Sequence, residues 1–240
     1  EVFGAILDEI EGNLSPEGMK KLGLSMSPSY AVYGVGGMPV FRMTLGDSEA
    51  FKAMVNRVES KGKVAVTKKE SDGVSYRLYS ADEMRVPMVI RDGQVVTAVT
   101  HEKALDAILP YVLGQKTPEK SLADENELGS IVEQYGYKRW SVGYLDVEAA
   151  IRRLSGVDKP DPALASVLKA FDIEIDEASE ACSKEVGEFA AAMPRAVMGI
   201  REYSDEATAA HAGLELKSKL AGELAGTVEP IPGMNSQLFE

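Results

Sequence analysis

Glycine-containing turns recur in the first half of the chain and constrain its fold more than any other feature. Strand-like runs meet at Gly36-Gly37, Asp72-Gly73 and Asp92-Gly93, where glycine supplies the positive φ of a tight hairpin. The runs that flank these turns are residues 30–34 with 38–45, 63–69 with 74–80, and 87–90 with 95–100. We therefore predict antiparallel sheet built from hairpins.

Helix-capping residues alternate with these hairpins. Ser15 precedes Pro16, Asp47 precedes the apolar stripe of residues 48–60, and Thr100 precedes that of residues 102–113. Such residues satisfy the free amides of a helix's first turn. Further helix starts follow in the second half, where a last hairpin is predicted over residues 195–203 and 207–216. The predicted starts are Asp124 with Glu127, Asp146, Asp161 with Pro162, and Asp176 at the head of a long Ala-rich helix.

The predicted fold class is therefore α+β, with antiparallel sheet covered by helices. The polar segment 115–123 contains Pro118 and is the best candidate linker. It divides the chain into an α+β subdomain over residues 1–120, with hairpins and two helices, and a helix-rich α+β subdomain over residues 121–240. A chain of 240 residues is long enough for one large domain or two smaller ones.

An internal similarity suggests repeated hairpin-plus-helix units. Residues 41–55 align with residues 95–109, and Asp146 begins a shorter third match directly after a strand. In each copy a strand leads into a capped helix whose small alanines allow close packing on a sheet. Duplication predicts antiparallel sheet covered on one face by helices, whereas repeated use of good caps would produce the third match without duplication.

Composition limits the partners. The formal net charge is −12, and such a field repels phosphate backbones and anionic headgroups, so we expect no nucleic-acid partner. Lys61, Lys63, Lys68 and Lys69 form a small basic group around a predicted edge strand, where lysines block edge-to-edge aggregation. We find no apolar run long enough to cross a membrane. The single cysteine, Cys182, permits no intrachain disulfide and fits a cytosol or a periplasm.

Two motifs resemble those of enzymes. Gly34-Val35-Gly36-Gly37 is glycine-rich like a phosphate loop, but Pro39 stands at the third glycine position and a strand follows, which favours a hairpin. Ser166 and Lys169 match the S-x-x-K of penicillin-recognising enzymes without the companion motifs, which favours surface residues of a helix. We assign no catalytic, cofactor-binding or metal-binding residues and expect no cofactor.

The remaining reactive side chains also receive structural interpretations. His101 and His211 lack metal-ligand spacing, and Cys182 lies in an Ala-rich helix where a small buried hydrophobe is expected. The acidic run 172–177 lacks the glycine and the final glutamate of a calcium loop. Methionines near predicted strands are expected to fill the core, with the lining of an adaptable apolar pocket as the alternative. These methionines are Met26, Met38, Met43, Met88 and Met198.

Residues 30–62, followed by RDGQVVTAVTHEKALDAIL and GYLDVEAAIRRL, resemble a group of functionally uncharacterised bacterial envelope proteins, many of them predicted lipoproteins. The likeness covers roughly residues 28–155, and its motifs are structural. It implies export to the periplasm or cell envelope and a lipid anchor upstream of Glu1, while a cytoplasmic location stays open. It implies no active-site residues.

These observations favour an exported binding or interaction protein over an enzyme. The partner would be a protein or an apolar small molecule. A first alternative is a carrier for an apolar ligand or lipid, which requires a continuous cavity lined by methionine and leucine. A second is a hydrolase using acidic residues, which requires two carboxylates with separated pKa values converging in a cleft.

Overall fold

The computed structural model describes residues 2–118, 126–217 and 222 of the 240-residue chain. The helices in chain order are α1 Val2–Ile10, α2 Pro16–Lys21, α3 Ser48–Lys61, α4 Leu105–Val112, α5 Glu127–Tyr135, α6 Val147–Leu154, α7 Pro162–Ala170 and α8 Glu180–Ala191. A 3-10 turn, Glu102–Ala104, precedes α4. The strands are β1 Tyr30–Val35, β2 Met38–Thr44, β3 Val66–Ser71, β4 Val74–Ala81, β5 Met84–Arg91, β6 Gln94–Ala98, β7 Thr100–His101, β8 Val142–Asp146, β9 Arg195–Tyr203 and β10 Thr208–Leu214.

The described chain forms two compact units. The first contains residues 2–118 and 160–174, and the second contains residues 126–159 and 175–217. The chain thus returns to the first unit with α7 after the first part of the second unit, a crossing that a single boundary near residue 120 does not include. Both units combine helices with antiparallel strands, so the predicted α+β class is confirmed.

Hairpins build the sheet of the first unit, as predicted. Its strand order is β1-β2-β6-β5-β4-β3, with β7 paired to β5, and every pairing is antiparallel. The turns at Gly36-Gly37, Asp72-Gly73 and Asp92-Gly93 all have positive φ, which confirms the glycine-based prediction. A further turn at Asp82, also at positive φ, joins β4 directly to β5 and was not foreseen from the sequence.

Helices cover both faces of this sheet. Val95 and Val96 are neighbours on β6 and therefore point to opposite faces. Val96 packs in a cluster with Ile108 of α4 and Val167 of α7, while Val95 packs with Phe51 of α3. This arrangement differs from the expected helices on one face. The aligned segments 41–55 and 95–109 end in helices on opposite faces, and repeated units are not confirmed.

Most predicted caps are found at helix starts. Ser15, Asp47, Asp146 and Asp161 each accept a first-turn amide. The prediction for Thr100 is wrong because this residue is fully buried in β7 and its hydroxyl bonds to the next carbonyl. The cap is instead the side chain of His101, whose Nδ1 accepts the Lys103 amide.

Two other helix starts need comment. α8 does not begin at Asp176, because the Ala178 amide donates to the Gly156 carbonyl outside the helix; Ser179 is the cap instead. Asp124 lies outside the described residues, and the residue before α5 is Asn126.

The second unit has a three-stranded antiparallel sheet of order β10-β9-β8. Helix α5 packs against it through Ile131, which meets Tyr137 and Val197 in a small core. The predicted last hairpin is confirmed as β9 and β10, with a register irregularity between Ala209 and Ala210. Helices α6 and α8 pack against each other in the same unit.

Candidate functional site

The first hairpin places strand β1 at the end of its sheet. Val35 and Met38 pair directly across the two-residue turn Gly36-Gly37, as expected of a tight hairpin, and such a closing pair exchanges both of its backbone hydrogen bonds. Gly36 has a φ of +56°, and a Cβ there would lie 2.5 Å from the Ala163 carbonyl carbon. Glycine is therefore required where this turn meets α7.

The pairing alternates along the hairpin, and this fixes which backbone groups of β1 are free. Counting back from Val35, every second residue bonds to β2, so the amides and carbonyls of Tyr30, Val32 and Gly34 point away from the sheet. The Thr44 amide donates to the Ser29 carbonyl at 2.9 Å, in phase with this alternation. Within the described parts of the chain, no backbone group pairs with the outward side of these three residues.

The side chains along this edge are apolar and exposed. Tyr30 is 61% exposed and Val32 is 67% exposed, and alternation places both on one face with Gly34. Val32 lies directly opposite Phe41 of β2, which is half-buried. Residues 22–41 carry no charged side chain, although 27% of the whole chain is charged. The edge is thus an uncharged strand with unused hydrogen-bonding capacity.

The opposite edge of the same sheet is protected. Strand β3 occupies the other end of the strand order, which confirms the predicted edge strand. Lys68, Lys69 and Glu70 of this strand are all exposed. Charges of this kind discourage pairing with another chain. Strand β1 carries no such charges.

A cleft in the first unit surrounds His101, whose side chain is 5% exposed. The cavity is about 360 Å³ and is lined by Asp82, Glu83, Met84, His101, Lys103, Ala170, Phe171 and Asp172. Nε2 of His101 lies 3.4 Å from Glu83 Oε2, and Nδ1 accepts the Lys103 amide at 3.1 Å. With Nδ1 serving as an acceptor, Nε2 carries the proton.

This cleft brings the His101 imidazole and the Glu83 carboxylate together, a contact that the sequence analysis did not predict. Its lining includes no serine, cysteine, threonine or tyrosine, so the described cleft offers no hydroxyl or thiol nucleophile. His101 also caps the turn before α4, and its ring packs against Phe171 in a T-shaped arrangement with centroids 5.3 Å apart. The geometry supports a structural role for this histidine.

A second cavity of about 460 Å³ lies beside strands β3 and β4 and is lined by Lys52, Lys68, Lys69, Glu70, Ser75, Tyr76, Arg77, Met88 and Ile90. Four of these lining residues are cationic, and only Tyr76, Met88 and Ile90 provide large apolar surfaces. Neither this cavity nor the His101 cleft is the continuous methionine- and leucine-lined space that an apolar carrier requires.

The other histidine belongs to an aromatic network in the second unit. His211 lies on β10, as predicted, and its Nδ1 contacts the Tyr137 hydroxyl. The Tyr135 hydroxyl donates to Glu215 Oε1 at 2.6 Å. Burial, and to a smaller extent the Glu215 carboxylate, raises the pKa of Tyr135 to about 12. Burial, and to a smaller extent Arg201, lowers the pKa of His211, which favours the neutral imidazole beside Tyr137.

The remaining candidates do not converge on a site. Cys182 is exposed, so the prediction of a buried cysteine is wrong: α8 starts late, and this residue falls in its exposed first turn. Ser166 is half-buried and donates to the Pro162 carbonyl within α7. Met38, Met43 and Met88 pack in core clusters as predicted, whereas Met26 and Met198 are exposed.

Among the described residues, no group of three or more His, Cys, Asp or Glu side chains converges in an arrangement that would hold a metal ion. No helix in the same residues has the length and hydrophobicity of a membrane-crossing segment.

Comparison with family models, with curated proteins and with solved structures gives no match for this chain.

Proposed function

We propose that this protein is a binding protein that receives an uncharged, extended protein segment along β1 as an added strand. The observation that supports this function is the outward row of amides and carbonyls at Tyr30, Val32 and Gly34, with which no backbone group of residues 2–118 or 126–217 pairs. Strand addition uses this kind of edge, with backbone bonds giving affinity and alternate side chains giving specificity.

The edge can supply enough energy for specific recognition. Three outward-facing residues offer one amide and one carbonyl each, and a backbone hydrogen bond contributes about 0.5–1.5 kcal/mol net. Tyr30 and Val32 add apolar surface at about 25 cal/mol per Å² buried. Because these side chains already project from an ordered strand, little of this gain is lost in ordering the site.

Charge narrows the class of partner. The protein has a net charge of −12, but residues 22–41 contain no charged side chain. A charged segment docked on β1 would lose hydration without gaining an opposite charge in the strand. The preferred partner is therefore an uncharged strand with small or β-branched side chains on the face of Val32. In line with the resemblance to envelope proteins, we place this binding in the bacterial cell envelope.

Amide hydrogen exchange with a model strand tests this function. The probe is an acetylated, amidated peptide of alternating threonine and valine flanked by lysines, added to dilute protein. We expect it to slow exchange at Tyr30, Val32 and Gly34 and to leave the outward amides of β3, such as Lys68, unchanged.

Two proline variants supply the controls. Val32→Pro removes an outward amide that β2 does not use, and we expect it to weaken peptide binding at least tenfold. Lys68→Pro removes the equivalent outward amide of β3 and should leave binding as in the wild type. Absence of protection on β1 at saturating peptide, or equal loss of binding in both variants, would contradict the function.

A further inference from the structure

We infer that the strand received by β1 is β1 of a second copy of this chain, joined antiparallel across a two-fold axis. The inference rests on the proposed function, since it names the partner for the same edge. Two features support it: the outward groups of β1 are arranged symmetrically about one residue, and the side chains on either side of that residue complement each other.

The symmetry follows from the register of the hairpin. The outward-facing residues are Tyr30, Val32 and Gly34, with Val32 at the centre. An antiparallel copy with its axis at Val32 therefore sets Val32 opposite Val32, and Tyr30 opposite Gly34 at both ends. All three pairings use groups that are free in the sheet, and each is a hydrogen-bonded pair that exchanges two backbone bonds.

The side chains fit this pairing. An atom placed at the Cβ position of Gly34 would meet nothing within 4 Å, so there is open space above this residue. Tyr30 of the other copy, a residue that is 61% exposed in the single chain, would lie over that space. Aromatic residues opposite glycines stabilise strand pairs in this way, and the central valine pair adds β-branched contact.

Electrostatics points to the same edge. Two copies each carrying a net charge of −12 repel each other, and this repulsion is weakest where the contacting surfaces are uncharged. Residues 22–41 provide such a surface. Strand β3 joined to its copy in the same way would have its axis at Lys68 and set Lys68 opposite Lys68, and like charges directly opposite each other on paired strands are destabilising.

Cysteine cross-linking tests the register in the full-length protein with Cys182→Ser as background, because Cys182 is exposed. Hydrogen-bonded partners lie about 5.5 Å apart at Cα, within the range that a disulfide spans. Val32→Cys should therefore form a disulfide-linked dimer on mild oxidation. Tyr30→Cys alone should not, since its two copies would be about 14 Å apart at about 3.4 Å per residue.

A mixture of Tyr30→Cys with Gly34→Cys should cross-link, because these positions face each other in the proposed register. Dimers of Tyr30→Cys alone, or failure of Val32→Cys to cross-link while the protein sediments as a monomer, would overturn the inference.

A charge exchange separates pairing from misfolding. Val32→Lys and Val32→Glu each place like charges at the axis, and each should raise the dissociation constant of the dimer at least tenfold. A mixture of the two should restore heterodimers, because the opposed charges then attract. Thr67→Lys on β3 is the matched control and should dimerise as the wild type does.

The outcomes distinguish the inference from the proposed function. Protection of β1 amides by the threonine–valine peptide in a protein that stays monomeric at all concentrations would reject the second copy and retain strand addition. Dimerisation through Val32 that the peptide reverses would support both. A monomer with no peptide protection would reject both.

Discussion

The two edge strands of the larger sheet, β3 and β1, differ in their protection against pairing with another chain. Strand β3 exposes Lys68, Lys69 and Glu70 and lies beside β4, which α3 holds through polar contacts. There Glu59 of α3 accepts hydrogen bonds from Arg77 at 3.0 Å and from Tyr79 at 2.7 Å. Strand β1 has no charged residue, and its exposed Tyr30 and Val32 project into solvent.

The difference between these two edges indicates where an interaction surface lies, without a cofactor or a catalytic group to mark it. An uncovered edge is a liability that folded proteins usually blunt with charge. One edge of this sheet is blunted and the other is not, although both belong to the same unit. This contrast supports the proposal that another strand pairs with β1.

The largest expected effect contrasts the turns that build the two edge hairpins. Gly36→Ala forces a left-handed backbone at φ +56° and a contact of 2.5 Å with the Ala163 backbone, so we expect a loss of roughly 3–4 kcal/mol of unfolding free energy. Gly73→Ala has a φ of +74° but open space around it and should cost about 1–2 kcal/mol. Urea denaturation of both variants measures the difference, and equal losses would show that α7 does not fasten the β1 turn.

The next largest effect on unfolding free energy concerns the polar contacts between α3 and β4, the strand next to β3. The side chains of Arg77 and Glu59 are 13% and 11% exposed, so Glu59→Ala leaves a nearly buried guanidinium and the Tyr79 hydroxyl without their partner. We expect a loss of about 3 kcal/mol, measured by urea denaturation. The matched control, Glu49→Ala, removes the partner of an exposed pair with Lys52 and should cost less than about 1 kcal/mol.

A smaller effect is expected on the pH dependence of the unfolding free energy, through Tyr79 beside Glu59. Burial, and to a smaller extent the Glu59 carboxylate, raises the pKa of Tyr79. A raised pKa means that the unfolded chain loses its proton first, so this stabilisation is complete below about pH 10 and is lost as pH rises further. Unfolding free energy should fall from about pH 9 to 11, and Tyr79→Phe should reduce that fall. An unchanged slope in the variant would show that Tyr79 is not its source.

The smallest change in stability is expected from making β3 resemble β1. Replacing Lys68 and Lys69 together by valine removes two exposed charges, and unfolding free energy should change by no more than about 0.5 kcal/mol. Association should nevertheless increase, because β3 would then be an uncharged edge as well. Sedimentation velocity should detect species larger than those of the wild type, and a double Lys→Arg variant should not form them.

Short-range signals in the sequence predict the local features of this structure. These features are the three glycine turns, the caps at Ser15, Asp47 and Asp146, and the edge position of the lysine-bearing strand. Such signals act within a few residues, where turn geometry and free helix amides decide the conformation.

The candidate site depends on long-range pairing that these signals do not specify. Strand β1 is an edge because β6 pairs with β2, across the whole length of α3 and three intervening strands. The contact between His101 and Glu83 likewise requires the β4–β5 turn and the pairing of β7 with β5. One signal for the edge was nevertheless present, the charge-free run of residues 22–41.

Amide exchange along β1 at increasing protein concentration tests the central claim most directly. The account predicts that Tyr30, Val32 and Gly34 gain protection as concentration rises, while Ala31 and Tyr33 are protected throughout by pairing with β2. Fast exchange of the first three amides at every concentration, with and without an added strand peptide, would contradict it.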